Sequence, residues 1–183
     1  MAIRHEKLYT LEEFYARGED LREELIDGFI YDMATPSRRH QGILGKLYQR
    51  IANHIDETKK DCVVYPAPFG VKLSKKKDDV VEPDISVICD KSKLTDRGCE
   101  GAPDWIVEIV SPSNPGHDYI VKLNLYLAAG VREYWIVDPE KEQVLVYHLE
   151  SEQSRCTPYT FQDTIPVEIC EGFSIDFKEI DVV

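Results

Sequence analysis

A carboxylate in the middle of a run with every other mark of a buried strand constrains this chain more than any other feature. Asp104-Trp-Ile-Val-Glu108-Ile-Val-Ser111 is apolar on both alternating faces, as in a central strand covered on two sides. Glu108 shares one of those faces with Ile106 and Val110. A buried carboxylate is strongly disfavoured unless a metal, a cation or a proton compensates it. A structural salt bridge, or a strand half open to solvent, is the alternative.

Val80-Val-Glu82-Pro83-Asp84-Ile-Ser-Val-Ile88 repeats the anomaly. Pro83 has no N–H to give a ladder, so it belongs at a strand start or bulge and puts Asp84 at the strand mouth. Two carboxylates on neighbouring strands can share a divalent cation, and Mg²⁺ takes few protein oxygens while keeping waters for chemistry. A third charge is out of place at Lys122, in the helical run Tyr119-Ile-Val-Lys-Leu-Asn-Leu-Tyr-Leu-Ala-Ala, which is apolar nearly all round. Asp118, Lys122 and Tyr126 recur at four-residue spacing on one face. Lys122 either pairs with Asp118 at the surface or reaches the strand carboxylates, where an ammonium would stabilise developing negative charge.

The rest of the chain supplies a frame for these residues. Thr10-Leu-Glu-Glu13 reads as a capping box opening a short helix that stops near Gly18. Two short strands flank the Asp27-Gly28 turn. Ile43, Leu44, Leu47, Ile51 and Ile55 mark a helix from about Ser37 to Thr58. Three β-like runs follow, Cys62 to Leu73, Asp84 to Cys89 and Asp104 to Val110. A helix from about Asp118 to Ala129 ends at Gly130, and Val131–Val137 with Gln143–His148 make a hairpin. The segments 165–169 and 173–177 read as edge strands. No linker or repeat divides residues 1–183, so the expectation is one α/β (α+β) domain with a mixed sheet.

Charge is unevenly spread. The net −12 of the chain resolves into +7 over 36–77, with ten Lys/Arg against three Asp/Glu, and −12 − 7 = −19 elsewhere. One stretch is therefore locally basic on an acidic protein, and the candidate polyanion contacts are Arg38, Arg39, His40, Lys75, Lys76 and Lys77, the three lysines being equally readable as a solvated turn that keeps a sheet edge soluble. No apolar run approaches a membrane span and the N-terminus lacks an apolar signal core, so a cytoplasmic setting without membrane contact is expected. Five cysteines without a C-x-x-C pair are expected to build neither a zinc framework nor a disulfide scaffold.

In order and spacing, several of these marks resemble the Uma-two restriction endonuclease family, a branch of the PD-(D/E)XK nuclease superfamily. They are Glu24-Leu-Ile-Asp-Gly28, Pro36-Ser with His40, Glu82-Pro-Asp84, Pro103-Asp-Trp-Ile-Val-Glu108-Ile-Val-Ser-Pro-Ser113, Lys122 with Tyr126, and Gly130-Val-Arg-Glu-Tyr-Trp-Ile-Val-Asp-Pro139. The resemblance runs from Tyr9 to about Tyr147. It implies a restriction-endonuclease-like core, a central mixed sheet flanked by helices, and hydrolysis of nucleic-acid phosphodiesters, DNA being the expected partner. Asp84 and Glu108 match the metal-binding carboxylates, with Mg²⁺ or Mn²⁺ as cofactor, and Glu24 matches a further acidic position. Val110 stands where the superfamily lysine is usual, and Lys122 matches its replacement from the following helix. A homodimer is also implied. The alternative from another class is a catalytically silent module that keeps the fold for nucleic-acid or protein binding. Neither a nucleophile elbow, nor a P-loop, nor a dinucleotide fingerprint is present.

Overall fold

The computed structural model describes residues 7–18, 21–58, 61–74, 77–111, 117–150 and 154–180, the side chains of His117 and Asp118 excepted. Helix α1 (Leu11–Tyr15) begins at the reciprocal Thr10/Glu13 capping box read from the sequence. Strands β1 (Glu23–Ile26) and β2 (Phe29–Asp32) pair around Asp27 and Gly28, whose φ values of 49° and 80° suit a tight hairpin turn. Helix α2 (Arg38–Thr58) starts where Ser37 Oγ accepts the His40 amide at 3.1 Å, and it buries Ile43, Leu44, Leu47, Ile51 and Ile55 as one stripe.

The run from Cys62 to Leu73 is not one strand. It divides into β3 (Val63–Pro66) and β4 (Val71–Lys72), which lie in different sheets. Pro66 and Pro68 carry no ladder donor, and the chain changes sheet there. Strands β5 (Val80–Val81) and β6 (Ile85–Ile88) are likewise divided between the sheets at Glu82-Pro83. A hairpin of β7 (Leu94–Thr95) and β8 (Gly98–Glu100) precedes β9 (Trp105–Ile109). The helix expected from Asp118 is a π-helical turn, His117–Lys122, continued by α3 (Leu123–Ala129) to a left-handed Gly130 at φ 88°. Strands β10 (Glu133–Asp138) and β11 (Gln143–His148) form the expected hairpin, and β12 (Arg155–Thr160) extends it. The tail is a separate hairpin of β13 (Thr164–Pro166) and β14 (Ser174–Asp176).

Among the described residues two six-stranded sheets result, in the orders β2-β1-β5-β4-β8-β7 and β12-β11-β10-β9-β6-β3. Both are mixed, with β4–β8 and β9–β10 parallel. One face of the second sheet (Ile85, Val87, Trp105, Val107, Trp135, Val137) packs against α2 and the C-terminal hairpin. Its other face (Ile88, Ile106, Tyr134, Ile136) meets the first sheet (Ile26, Val71, Val81, Cys99) and Tyr126 of α3. Helix α1 covers the outer face of the first sheet over Leu25, Ile30 and Val80. The doubly buried β9 and β10 explain the continuous apolar runs of the sequence.

The cysteine expectation is corrected at one pair. Cys62 and Cys89 form a disulfide tying the edge strand β3 to β6, one step beyond the Val63–Ile88 ladder pair. Cross-strand partners are invisible to spacing along the chain, since 27 residues separate the two. Cys99, Cys156 and Cys170 stand outside any disulfide. Among the described residues no helix is long and apolar enough to cross a membrane.

Candidate active site

Antiparallel pairing brings the two strand carboxylates together. Ile85 pairs with Val107 and Ser86 with Ile106, so one step further Asp84 stands opposite Glu108. Residues so opposed hold their Cβ atoms about 4.5–5.5 Å apart. Both residues are buried, at 7% and 4% exposure. Oδ2 of Asp84 accepts the Ile109 amide at 2.8 Å and lies 3.1 Å from His40 Nε2. Because β6 and β9 are antiparallel, the start of one and the end of the other lie at the same end of the sheet, and the first turn of α2 reaches that end through His40.

Lys122 arrives by the crossover that the parallel β9–β10 pair requires. The π-helical turn and α3 cross the inner face of the second sheet, so Lys122 and Tyr126, four residues apart, both project onto β9. Lys122 is 3% exposed, and Nζ donates to Glu108 Oε1 at 2.9 Å. The same Nζ lies 2.9 Å from Glu24 Oε1. Tyr126 Oη donates to Glu108 Oε1 at 2.6 Å. Glu24 comes from the first sheet: on β1 it alternates with Leu25, which faces outward under α1, and so points to the interface between the sheets. Its Oε1 also accepts the Glu82 amide at 3.1 Å. Burial raises the carboxyl pKa of Glu82 itself, and Glu24 adds to the rise while Arg22 and Lys122 oppose it.

The arrangement joins three carboxylates with one ammonium, a formal −3 + 1 = −2 when all are ionised. Among the described residues no three His, Cys, Asp or Glu side chains close into a metal cage. Mg²⁺ does not need one, since it is commonly held by one or two carboxylates and retains several waters. The hard oxygen donors Asp84 and Glu108, with the residual negative charge around them, fit such a cation.

The sequence-derived site residues are therefore distributed as follows. Asp84, Glu108, Lys122 and Glu24 are gathered from β1, β9, the π-helical turn and the mouth of β6. His40, grouped by the sequence with the polyanion contacts, is instead buried against Asp84. Arg38 is exposed at the start of α2, whereas Arg39 is half-buried and donates to the Pro139 carbonyl at 2.8 Å. Lys77 is exposed, 3.5 Å from Asp27. Lys75 and Lys76 lie outside the described residues. Sequence reasoning missed Tyr126 as a partner of Glu108, although its position four residues after Lys122 on a buried face was the available signal.

Residues 6–178 match the family model Uma2, described as "Putative restriction endonuclease". Uncharacterized protein slr1290 of Synechocystis sp. (strain PCC 6803) is 29% identical over 140 residues, spanning 75% of this chain and 72% of that protein. A solved structure from Anabaena variabilis, described as a "putative nuclease belonging to DUF820", superposes with a TM-score of 0.76 at 22% identity. The superposition covers 93% of this chain and 96% of the other, so the fold is shared along almost the whole length.

Proposed function

This chain belongs to the Uma2 family, and from that premise we propose that it is a metal-dependent endonuclease that hydrolyses phosphodiester bonds of DNA. The observation that carries the reading is the buried grouping of Asp84, Glu108, Lys122 and Glu24, in which a single ammonium bridges two of three carboxylates at one end of the central strands.

Asp84 and Glu108 would hold Mg²⁺ or Mn²⁺. Such an ion, when bound, supplies a water of lowered pKa and charge neutralisation at the scissile phosphate. Lys122 places a positive charge beside Glu108, where it can stabilise negative charge growing on the phosphate oxygens during attack. Glu24 holds that ammonium from the opposite side, so Lys122 does not depend on Glu108 alone for its position. Tyr126 fixes the Glu108 carboxylate by donating to the same oxygen as Lys122. The packing of both sheets and α3 around Ile106, Tyr134 and Val110 keeps water from the back of the site and strengthens these interactions.

The polyanion approaches over the end of the sheet that carries Asp84. Arg38 at the open end of α2 is a basic group for its backbone, Lys75, Lys76 and Lys77 are further candidates from the sequence alone, and the amide end of α2 favours the same charge. A homodimer in the cytoplasm, implied by the resemblance, completes the reading. In a reducing compartment Cys62 and Cys89 would stand as thiols. Size-exclusion chromatography with light scattering tests the dimer.

The test of activity is a screen of labelled single- and double-stranded DNA and RNA with Mg²⁺, Mn²⁺ or chelator. Cleavage of DNA that needs the metal and vanishes in Asp84→Ala supports the proposal. No cleavage of any substrate together with no divalent-metal binding favours the silent module, which has no reason to retain a tight site.

A further inference from the structure

His40 stands apart from the polar residues of α2 because it lies within the helix's buried stripe, three residues before Ile43 and four before Leu44. Its side chain is 9% exposed, yet among the described residues the ring's polar contact is with Asp84 alone. Nδ1 is buried and has no hydrogen-bond partner there. A carboxylate accepts and does not donate, so the 3.1 Å contact requires the hydrogen on Nε2, donating to Asp84 Oδ2. The Ile109 amide donates to that same oxygen at 2.8 Å. Two donors arriving from different elements, one from a helix end and one from the neighbouring strand, fix both the torsion and the plane of the carboxyl group. A larger apolar side chain at position 40 would fill the stripe equally well, so packing does not account for an imidazole with a buried, unpartnered nitrogen.

We infer that His40 is a positioning residue that locks Asp84 in one carboxylate orientation, committing Oδ2 to the protein and Oδ1 to the metal. It thereby ties the first turn of α2, with Arg38, to the catalytic carboxylates. This rests on the metallonuclease reading of the site and assigns His40 to Asp84 rather than to nucleic acid. The role follows from geometry: an oxygen already holding two N–H donors is poorly placed to take a cation, and a carboxyl group without them is free to rotate. Outer partners of metal ligands commonly change metal affinity in this manner.

Calorimetric titration with Mn²⁺ and steady-state cleavage are measured together on wild type, His40→Phe, His40→Asn and His40→Gln. Phenylalanine keeps the ring volume without the donor. Asparagine is polar but too short to place an N–H where Nε2 lies, which keeps the test alive if the phenylalanine variant does not fold. Glutamine can put its amide nitrogen near that point. The expected result is Mn²⁺ affinity about 10–100-fold weaker for Phe and Asn, with most of it regained in Gln. kcat should fall in the same order while KM for the nucleic acid stays unchanged. A folded Phe or Asn variant with the wild-type isotherm overturns the inference, as does a raised KM at unchanged kcat, which would make His40 a nucleic-acid contact. No Mn²⁺ binding by the wild type overturns the metallonuclease reading and this inference with it, whereas wild-type binding with an unchanged variant isotherm overturns the inference alone.

Discussion

Replacing Lys122 by methionine keeps most of the side-chain volume and removes the charge between Glu24 and Glu108. Each carboxylate oxygen lies 2.9 Å from Nζ. At an effective dielectric of about 20, one such pair attracts by about 332/(20 × 2.9), or roughly 6 kcal/mol, before the desolvation of both ions is counted. The net effect of deleting one partner of a buried pair is about 3–5 kcal/mol, because the remaining charge stays buried and uncompensated. Here two carboxylates are left, and they repel each other. Urea denaturation in chelator should therefore show Lys122→Met less stable than wild type by about 3–5 kcal/mol. The corresponding loss in Tm is about 6–20 °C for a chain of this size. A cation that binds beside Glu108 replaces part of the missing charge, so millimolar Mn²⁺ should stabilise the variant more than it stabilises wild type. Cleavage should remain lost, since a cation shared by the carboxylates does not restore the ammonium. A variant within about 0.5 kcal/mol of wild type in chelator would refute the reasoning, because surface substitutions produce changes of that size. Equal Mn²⁺ increments in the two proteins would contradict the electrostatic part of it.

Other substitutions probe separate links. Tyr126→Phe removes the 2.6 Å donor to Glu108 and should cost about 1.5–3 kcal/mol, the range for hydrogen bonds to charged groups; a denaturation midpoint equal to wild type contradicts this. Burial pushes the Glu133 carboxyl up from 4.5 to about 7, against the opposing bonds from Trp135 Nε1 and the Ile169 amide. A raised pKa in the fold means that the neutral form is favoured, so its stabilisation is full below pH 4.5 and lost as pH rises through about 7. Wild type should accordingly lose up to about 3 kcal/mol relative to Glu133→Gln between pH 4.5 and 8, and parallel stability curves in urea would sink the assignment. Arg38→Ala should reduce the log–log salt slope of duplex binding by about 0.9 if Arg38 neutralises one phosphate, whereas an unchanged slope leaves it a solvated side chain.

The residues of the candidate site were legible for a local reason. Glu108, Asp84 and Lys122 are charges set in apolar runs whose periodicity already required burial, and the conflict shows in a single window of sequence. Their partners were not legible in that way. Glu24 is an ordinary residue of a hairpin strand until β1 and β5 place it on the inner face of the first sheet. Histidine at position 40 reads as polar on a basic helix start, and its contact with Asp84 spans 44 residues. Long-range pairing also explains the misread strands. The apolar run of 62–73 has uniform β character, but which sheet each half joins depends on hydrogen-bond partners elsewhere in the chain. Strand β12 (Arg155–Thr160) offered little signal, because an edge strand containing Pro158 and largely exposed side chains needs no apolar alternation. The Asp-Gly hairpin, the capping box and the stripe of α2 were all read correctly, and each is specified within a few residues.

The central claim is that Asp84 and Glu108 share one divalent cation beside Lys122. Crystals of the protein soaked in Mn²⁺, with anomalous scattering recorded at the manganese edge, test it most directly. The account predicts one strong peak at the mouth of β6, about 2.1 Å from an oxygen of each carboxylate, with Lys122 still in contact with Glu24. A peak elsewhere, or none at millimolar Mn²⁺ with Lys122 still bridging Glu24 and Glu108, would contradict it.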